Sequence, residues 1–205
     1  VIHVACNGIY SGHIVISDEI KDDSELTIKG LKSAGVENIV MLTGDNEKAA
    51  YTVAAKLGLH KAYGQLLSAD KLAKVEELLK DLSKKGKKRG SLIFVGDGIN
   101  DAPVLARADA GIAMGAMGSD AAVEASDVII MEDKPSKIVD AIKISRKTLK
   151  IVYENIIGSL GIKGVILICS AFGITNMWLA VFGDVGVTIL AVLNALRLLK
   201  KSKKC

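Results

Sequence analysis

The chain has few aromatic residues, 4% of its 205 positions, and only three cysteines. Cys6, Cys169 and Cys205 show no paired spacing, which argues against a disulfide framework or a zinc knuckle and favours a reducing compartment. There is also no initiator Met, no basic n-region and no signal peptide. The text opens at Val1 directly in strand-like sequence, passes Asn7-Gly8, and resumes alternation from His13 to Ile16. Asn-Gly between two such runs is a hairpin signal. A chain that opens inside a hairpin is expected to be a piece of a longer one. The net charge of +4 is small, and its basic residues gather at Lys84 to Arg89, Lys143 to Lys150 and Lys200 to Lys204. The first cluster reads as a solvated loop between a helix and a strand, and no nucleic-acid partner is expected.

What is present is a regular alternation of helical and strand-like text from Asp18 to Met131. Asp23-Ser24 is expected to cap a helix ending at Ala34-Gly35, and the apolar run Ile39 to Leu42 stops at Thr43-Gly44-Asp45. A second helix is expected from about Asn46 to Leu57, with Gly58 at its end. Ser68 is expected to cap a third, whose Leu72, Val75, Leu78, Leu79 and Leu82 fall on one stripe. Leu92 to Val95, a helix over Asp101 to Arg107, Gly111 to Met114, a short helix near Ala121 and Val128 to Ile130 complete the series. These strand runs are short and wholly apolar, not alternating, which fits a parallel sheet covered on both faces. The expected fold class is α/β, a doubly wound parallel sheet.

Past Pro135 the composition changes. An amphipathic helix over 136–150 leads into 151–174, apolar apart from Glu154, Asn155 and Lys163. After Thr175-Asn176, residues 177–199 are apolar apart from Asp184, Asn194 and Arg197. Each stretch exceeds the roughly 20 residues that span a bilayer core, so a two-helix transmembrane hairpin is expected. A pair of buried core helices is the alternative, but a domain this small offers little protein to cover them. Basic residues flank the outer ends and not the turn, which places both ends of the hairpin, and the α/β domain, on the cytoplasmic side.

Three elements fall where chemistry is expected, after strands. Thr43-Gly44-Asp45-Asn46 offers a hydroxyl and free N–H groups at a helix start, a small anion site, though an ordinary capped turn reads the same way. Gly96-Asp97-Gly98-Ile99-Asn100-Asp101-Ala102-Pro103 sets two carboxylates four residues apart at a strand end. Such a pair can converge on one hard cation, and Mg²⁺ takes few carboxylates plus water and substrate oxygens. The plainer reading has Asp101 merely capping a helix. Lys71, near the start of the third helix, could neutralise a phosphoryl group, although position alone favours a solvated surface lysine.

TGDN, followed about fifty residues later by GDGINDAP, resembles the phosphorylation domain of P-type ATPases, in the haloacid-dehalogenase superfamily. Gly111 to Gly115 and Asp127 to Ile129 extend the likeness, which covers essentially the whole chain. The resemblance implies an incomplete haloacid-dehalogenase-like phosphorylation domain, residues 18–135. Before it comes the end of a nucleotide-binding domain or hinge hairpin, 1–17. A linker helix 136–150, transmembrane helices 151–174 and 177–199, and a basic cytoplasmic tail 200–205 follow. It also implies roles. Thr43, with Gly44, would bind phosphoryl oxygens, and Asp45 would organise the site or contact ATP. Lys71 would stabilise phosphoryl charge, Asp97 would ligate Mg²⁺, and Asn100 and Asp101 would hold metal and phosphate. Transfer of this kind depends mostly on positioning and electrostatics. The family nucleophile, the Asp of Asp-Lys-Thr-Gly, does not occur here, so this chain alone is expected neither to form an acyl-phosphate nor to pump. Ser68 also departs from the family, which commonly has Pro shortly before the Lys.

Lys163 lies about 12 residues before the Thr175-Asn176 turn and Asp184 about 8 after it, roughly 18 and 12 Å along their helices and within mutual reach. Charges at such depth are costly and usually paired and functional; a purely structural pair is the alternative. Gly158, Gly161, Gly164, Gly183 and Gly186 are expected to permit close helix contact. The pattern resembles the last two helices of heavy-metal (type IB) P-type ATPases, in the Zn²⁺/Cd²⁺/Pb²⁺ branch, with Asp184-Val185-Gly186 in the last helix. The copper branch's Tyr-Asn and Met-x-x-Ser-Ser are absent, and a carboxylate suits a borderline divalent ion better than Cu⁺. In that likeness Asp184 ligates the transported Zn²⁺ or Cd²⁺ and Lys163 is its built-in counter-ion. Cys169 reads as a small core residue. Three other readings stay open: copper transport within the pump class, a membrane-anchored phosphatase of the same superfamily, and a truncated membrane protein that binds metal or modulates an intact pump.

Overall fold

The computed structural model describes residues 2–14, 19–84, 86, 90–97, 100–115, 120–173, 176, 178 and 181–202. They fall into two units, Val1–Ile138 and Val139–Cys205.

The first unit opens with a hairpin, β1 (Ile2–Cys6) antiparallel to β2 (Ile9–Ile14). Asn7 and Gly8 have φ of 52° and 79°, the two positive values that a type I′ turn requires. The second strand was expected from His13 to Ile16; it begins at Ile9, and residues 15–18 lie outside the described ones. Thereafter helices and strands alternate: α1 (Ser24–Ser33), β3 (Val40–Leu42), α2 (Glu47–Leu57), β4 (Lys61–Tyr63), α3 (Ser68–Ser83) and β5 (Ile93–Gly96). They continue with α4 (Ala102–Arg107), β6 (Ala110–Met114), α5 (Asp120–Ala125) and β7 (Val128–Ile130).

Among the described residues the pairings after the hairpin are parallel, as the unbroken apolar runs of β3, β5, β6 and β7 lead one to expect. Among the described residues they form two hydrogen-bonded sets, β3-β4 and β5-β6-β7. The sets share packing even so: Leu42 of β3 and Phe94 of β5 both lie against the cluster of Val75, Leu79 and Val104. A second cluster, Leu105, Ala113 and Ala122, fills the space between α4, β6 and α5. There a Cβ on Gly111 would stand 2.6 Å from the Leu105 carbonyl oxygen, so α4 can approach β6 only because that residue is glycine. Strand β4 was not expected. Of its three residues only Ala62 is buried, so it lacks the apolar run that marked the others.

Two capping expectations are corrected. Leu67, not Ser68, occupies the N-cap of α3, where the Asp70 carboxylate accepts the Leu67 N–H at 3.0 Å. Asp23 sits at the N-cap of α1 but makes no side-chain cap, because its backbone is already near-helical (φ −88°, ψ −1°). Its carboxylate instead accepts the Ser136 N–H at 3.0 Å, at the start of another helix, and this bond holds the Asp23 carboxyl below the usual carboxylate range.

A single helix, α6 (Ser136–Ala171), covers the expected linker and most of the first apolar span. Its 36 residues are about 54 Å long at 1.5 Å each. In the second apolar span the described part opens with a π-helical turn, Phe182–Gly186, then α7 (Val187–Ala195) and α8 (Arg197–Ser202). Thr175 and Met177 lie outside the described residues. Ser136–Ala171 and Phe182–Leu199 are both long and apolar enough to cross a membrane, and their most apolar windows are only 6% and 11% buried. Of the glycines expected at close helix contact, Gly183 is one, since a Cβ there would collide with Ile166. Gly158, Gly161 and Gly164 are corrected: nothing lies within 4 Å of a Cβ built on any of them.

Candidate functional site

The Thr43 to Asn46 turn is held from three sides. The Thr43 N–H bonds the Tyr63 carbonyl at 3.0 Å, and the Thr43 carbonyl accepts the Leu66 N–H at 3.0 Å. Its hydroxyl donates to Asp45 Oδ2 at 2.9 Å and accepts the Asp45 N–H at 3.1 Å, so one side chain is locked by both ends of its neighbour. Asn46 then caps α2 by accepting the Lys48 N–H at 2.9 Å. The third support was not read from the sequence. Gly64 runs against the turn so closely that a Cβ would lie 2.7 Å from Glu47 Cα and 2.9 Å from the Asp45 carbonyl oxygen. Next to it, the Gln65 N–H bonds that same Asp45 carbonyl at 2.7 Å, with Gln65 in the left-handed region at φ 57°. A lone Gly-Gln pair in sequence gives no sign of this; the close approach arises from β4 pairing with β3.

Strand β5 ends at Gly96, and Asp97 follows as an exposed residue. Asn100 is exposed in the turn before α4, while Gly98 and Ile99 lie outside the described residues. Asp101 is different: it is 7% exposed, the only charged residue among the described buried ones. It stands at the N-cap of α4 yet makes no side-chain cap; its main-chain carbonyl accepts the Val104 and Leu105 N–H groups. Both carboxylate oxygens instead accept from Lys71 Nζ, at 2.9 and 3.2 Å. Lys71 reaches it from the first turn of α3 with a side chain only 17% exposed. The plainer readings, a solvated Lys71 and an Asp101 that merely caps, therefore both fail. A Cβ on Gly96 would stand 3.2 Å from Asp101 Oδ2, so the glycine keeps the carboxylate's flank clear.

This donor set fits Mg²⁺. Asp97, Asp101 and Asn100 offer hard oxygens, and no cluster of three or more His, Cys, Asp or Glu suited to a metal occurs among the described residues. Mg²⁺ is a hard ion that takes few carboxylates and completes its shell with water and substrate oxygens, which so small a set of donors would suit. Thr43 follows the end of β3 and carries a hydroxyl, and Lys71 stands in the first turn of α3 and carries an ammonium.

The second site lies in the second unit. Lys163 Nζ donates to Asp184 Oδ1 at 2.8 Å, and Asp184 sits at the centre of the π-helical turn. The Thr188 hydroxyl donates to the Asp184 carbonyl at 2.8 Å, so the backbone there is tied from the following turn. A second polar bridge was not anticipated. Asn194 Nδ2 donates to Asn155 Oδ1 at 2.9 Å, Asn155 Nδ2 to the Ala191 carbonyl at 3.1 Å, and Arg197 to Asn194 Oδ1 at 2.9 Å. The signal was present, since Asn155, Asn194 and Arg197 break otherwise apolar text, but nothing in it assigned partners.

The family model for the haloacid dehalogenase-like hydrolases matches residues 3–109. The "Cadmium, zinc and cobalt-transporting ATPase" of Bacillus subtilis (strain 168) is 52% identical over 204 residues, which is 100% of this chain and 28% of the relative. The "Zinc-transporting ATPase" of Synechocystis sp. (strain ATCC 27184 / PCC 6803 / Kazusa) is 52% identical over 200 residues, 98% of this chain and 27% of its own length. Among solved structures, a zinc-transporting PIB-type ATPase in its E2.Pi state superposes with a TM-score of 0.80 at 39% identity, covering 94% of this chain and 30% of that one. The chain thus spans less than a third of the relatives it resembles. On the parallel α/β architecture and the matched residues, the chain belongs to the haloacid dehalogenase-like hydrolases, and along its length it is similar to these metal-transporting ATPases.

Proposed function

We propose that the chain is part of an ATP-driven pump that exports a divalent heavy-metal cation, Zn²⁺ or Cd²⁺, through an aspartyl-phosphate intermediate. The phosphorylated Asp lies outside these 205 residues, in the remainder of the same pump. The observation that carries this reading is the Lys163–Asp184 pair, 2.8 Å apart on two helices able to cross a bilayer. An ammonium and a carboxylate at such depth are expensive and persist where they do work.

In this reading Asp184 ligates the transported ion and Lys163 takes its place when the ion leaves, keeping the site neutral. In residues 18–135, Thr43 and Gly44 receive the phosphoryl oxygens, and Asp45 fixes the Thr43 rotamer. Lys71 offsets phosphoryl charge, and its pairing with Asp101 holds both side chains in place beforehand. Asp97, Asp101 and Asn100 would hold Mg²⁺, which when bound would neutralise charge on the phosphoryl oxygens. Residues 151–174 and 177–199 form a hairpin in the membrane, joined by the 136–150 segment to a cytoplasmic soluble domain. ATP is the phosphoryl donor, and no nucleic acid is involved.

The test is Zn²⁺-stimulated ATP hydrolysis by the complete polypeptide carrying this chain, reconstituted in lipid vesicles. Asp184→Ala should reduce hydrolysis to the metal-free level while leaving phosphorylation by inorganic phosphate intact. Full Zn²⁺-stimulated turnover by that variant would overturn the ligand role, and normal phosphoenzyme in Asp97→Asn would overturn the Mg²⁺ assignment.

A further inference from the structure

The β1–β2 hairpin carries two of the chain's three histidines, and the pairing places them directly opposite one another, His3 against His13. Their ring centroids are 6.0 Å apart. Two features of the hairpin aim them. The register shifts between Val4 and Ala5, so that Val4 faces Gly12 and Ala5 faces Tyr10, with Ser11 left over. Strict alternation would put Tyr10 and His13 on opposite faces. The extra residue restores them to one face, and Gly12 at φ 151° makes the required turn of the backbone. As a result the Tyr10 hydroxyl lies 3.1 Å from His13 Nδ1, and its ring centroid is 5.9 Å from that of His3. All three side chains are exposed.

We infer that this face of the hairpin is a chelating site for a borderline divalent cation, Zn²⁺ or a neighbouring ion of similar ligand preference, held by His3 and His13. Imidazole suits such ions. A metal bonded to two imidazoles at about 2.1 Å, with a tetrahedral angle between them, sets the ring centroids about 5 Å apart. The observed spacing is thus about 1 Å too wide, a closure that small side-chain rotations supply at an exposed site. With its Nδ1 engaged by Tyr10, His13 is left to coordinate through Nε2. A hydrogen bond on the far nitrogen is the usual way a metal-binding imidazole is oriented. Two protein ligands leave the remaining positions to water, so the site is one of modest affinity. It stands apart from Asp184 in both ligand chemistry and sequence, and does not depend on the pump reading.

The experiment is calorimetric Zn²⁺ titration of the full chain in detergent micelles, with histidine-selective NMR on the same samples. An Asp184→Ala background separates any ion held in the helical hairpin. His3→Gln and His13→Gln should each remove one bound Zn²⁺ per chain or weaken it at least about tenfold, and the double variant should lose no more than either single one. The imidazole signals of His3 and His13 should shift together on Zn²⁺ addition. His60, whose Nδ1 accepts the Ile39 N–H at 3.1 Å, is the internal control and should not move. Unchanged stoichiometry and affinity in both single variants, or shifts of one histidine without the other, would overturn the site.

Discussion

Replacing Lys71 with Met tests the buried ion pair of the first unit. Asp101 has a side chain 10% exposed, and Lys71 Nζ is bonded to both of its oxygens. The methionine keeps most of the apolar stem and removes the charge, so the main consequence is an unpaired carboxylate held out of water. Losing one partner of a fully buried pair costs about 3–5 kcal/mol. Slight exposure at both groups and the nearby α4 N-terminus place this case at the lower end, about 3 kcal/mol. Against a typical stability of about 5–15 kcal/mol that is a large share, and it corresponds to a fall in Tm of about 10 °C for a unit of this size. The assay is urea and thermal unfolding of the full chain in detergent, followed by near-ultraviolet dichroism. Lys71→Met/Asp101→Asn should recover more than half of the loss, because no isolated charge remains. A single variant within about 0.5 kcal/mol of the parent, or a double variant whose loss equals the sum of the single ones, would refute the reasoning.

Three further outcomes are expected. Gly64→Ala should destabilise the first unit by about 1–3 kcal/mol, because its Cβ meets backbone rather than a movable side chain, and unfolding curves would measure it. The Asp23 carboxyl, held below its ordinary value chiefly by the Ser136 N–H, contributes stability that is present above the unfolded-state value of 3.8. That contribution is lost as pH falls through the lower folded-state value, so Asp23→Asn should lower stability in the neutral region, leave the acid end nearly unchanged, and so flatten the acid limb of stability against pH. Asn155→Leu and Asn194→Leu should be coupled by about 0.6 kcal/mol, the usual worth of a polar contact between membrane helices. A double-mutant cycle in detergent would read it.

The parallel pairing was legible because each of its longer strands is a short, wholly apolar run ending at a turn. Strand β4 was not, since Lys61 and Tyr63 flank a single buried alanine and only its pairing with β3 makes it a strand. The candidate site divides in the same way. Thr43, Asp97 and Asp101 announce themselves by their place after strands. The burial of Lys71 does not, because a lysine in the first turn of a helix usually faces water, and only the packing of α3 against α4 brings it to Asp101. Capping positions were the weakest part of the reading. Ser68 and Asp23 are residue types that cap, but near-helical backbone at Asp23 and the Asp70 carboxylate at Leu67 gave those roles to other groups. Depth along the helices brought Lys163 and Asp184 together on paper, whereas the open space beside Gly158, Gly161 and Gly164 depends on helix rotation, which composition does not encode.

The π-helical turn at Phe182–Gly186 gives the two halves of the Lys163–Asp184 pair unequal freedom. Lys163 belongs to a helix of 36 residues with no interruption, so its backbone turns about the axis only with the whole rod. Asp184 sits where one surplus residue is stored in the coil. A surplus residue can be handed to the next turn, and the short stretch it crosses then rotates by about 100° while the bonds on either side stay made. The backbone beneath the carboxylate can therefore change its turn locally, whereas that beneath the lysine has no such stored residue.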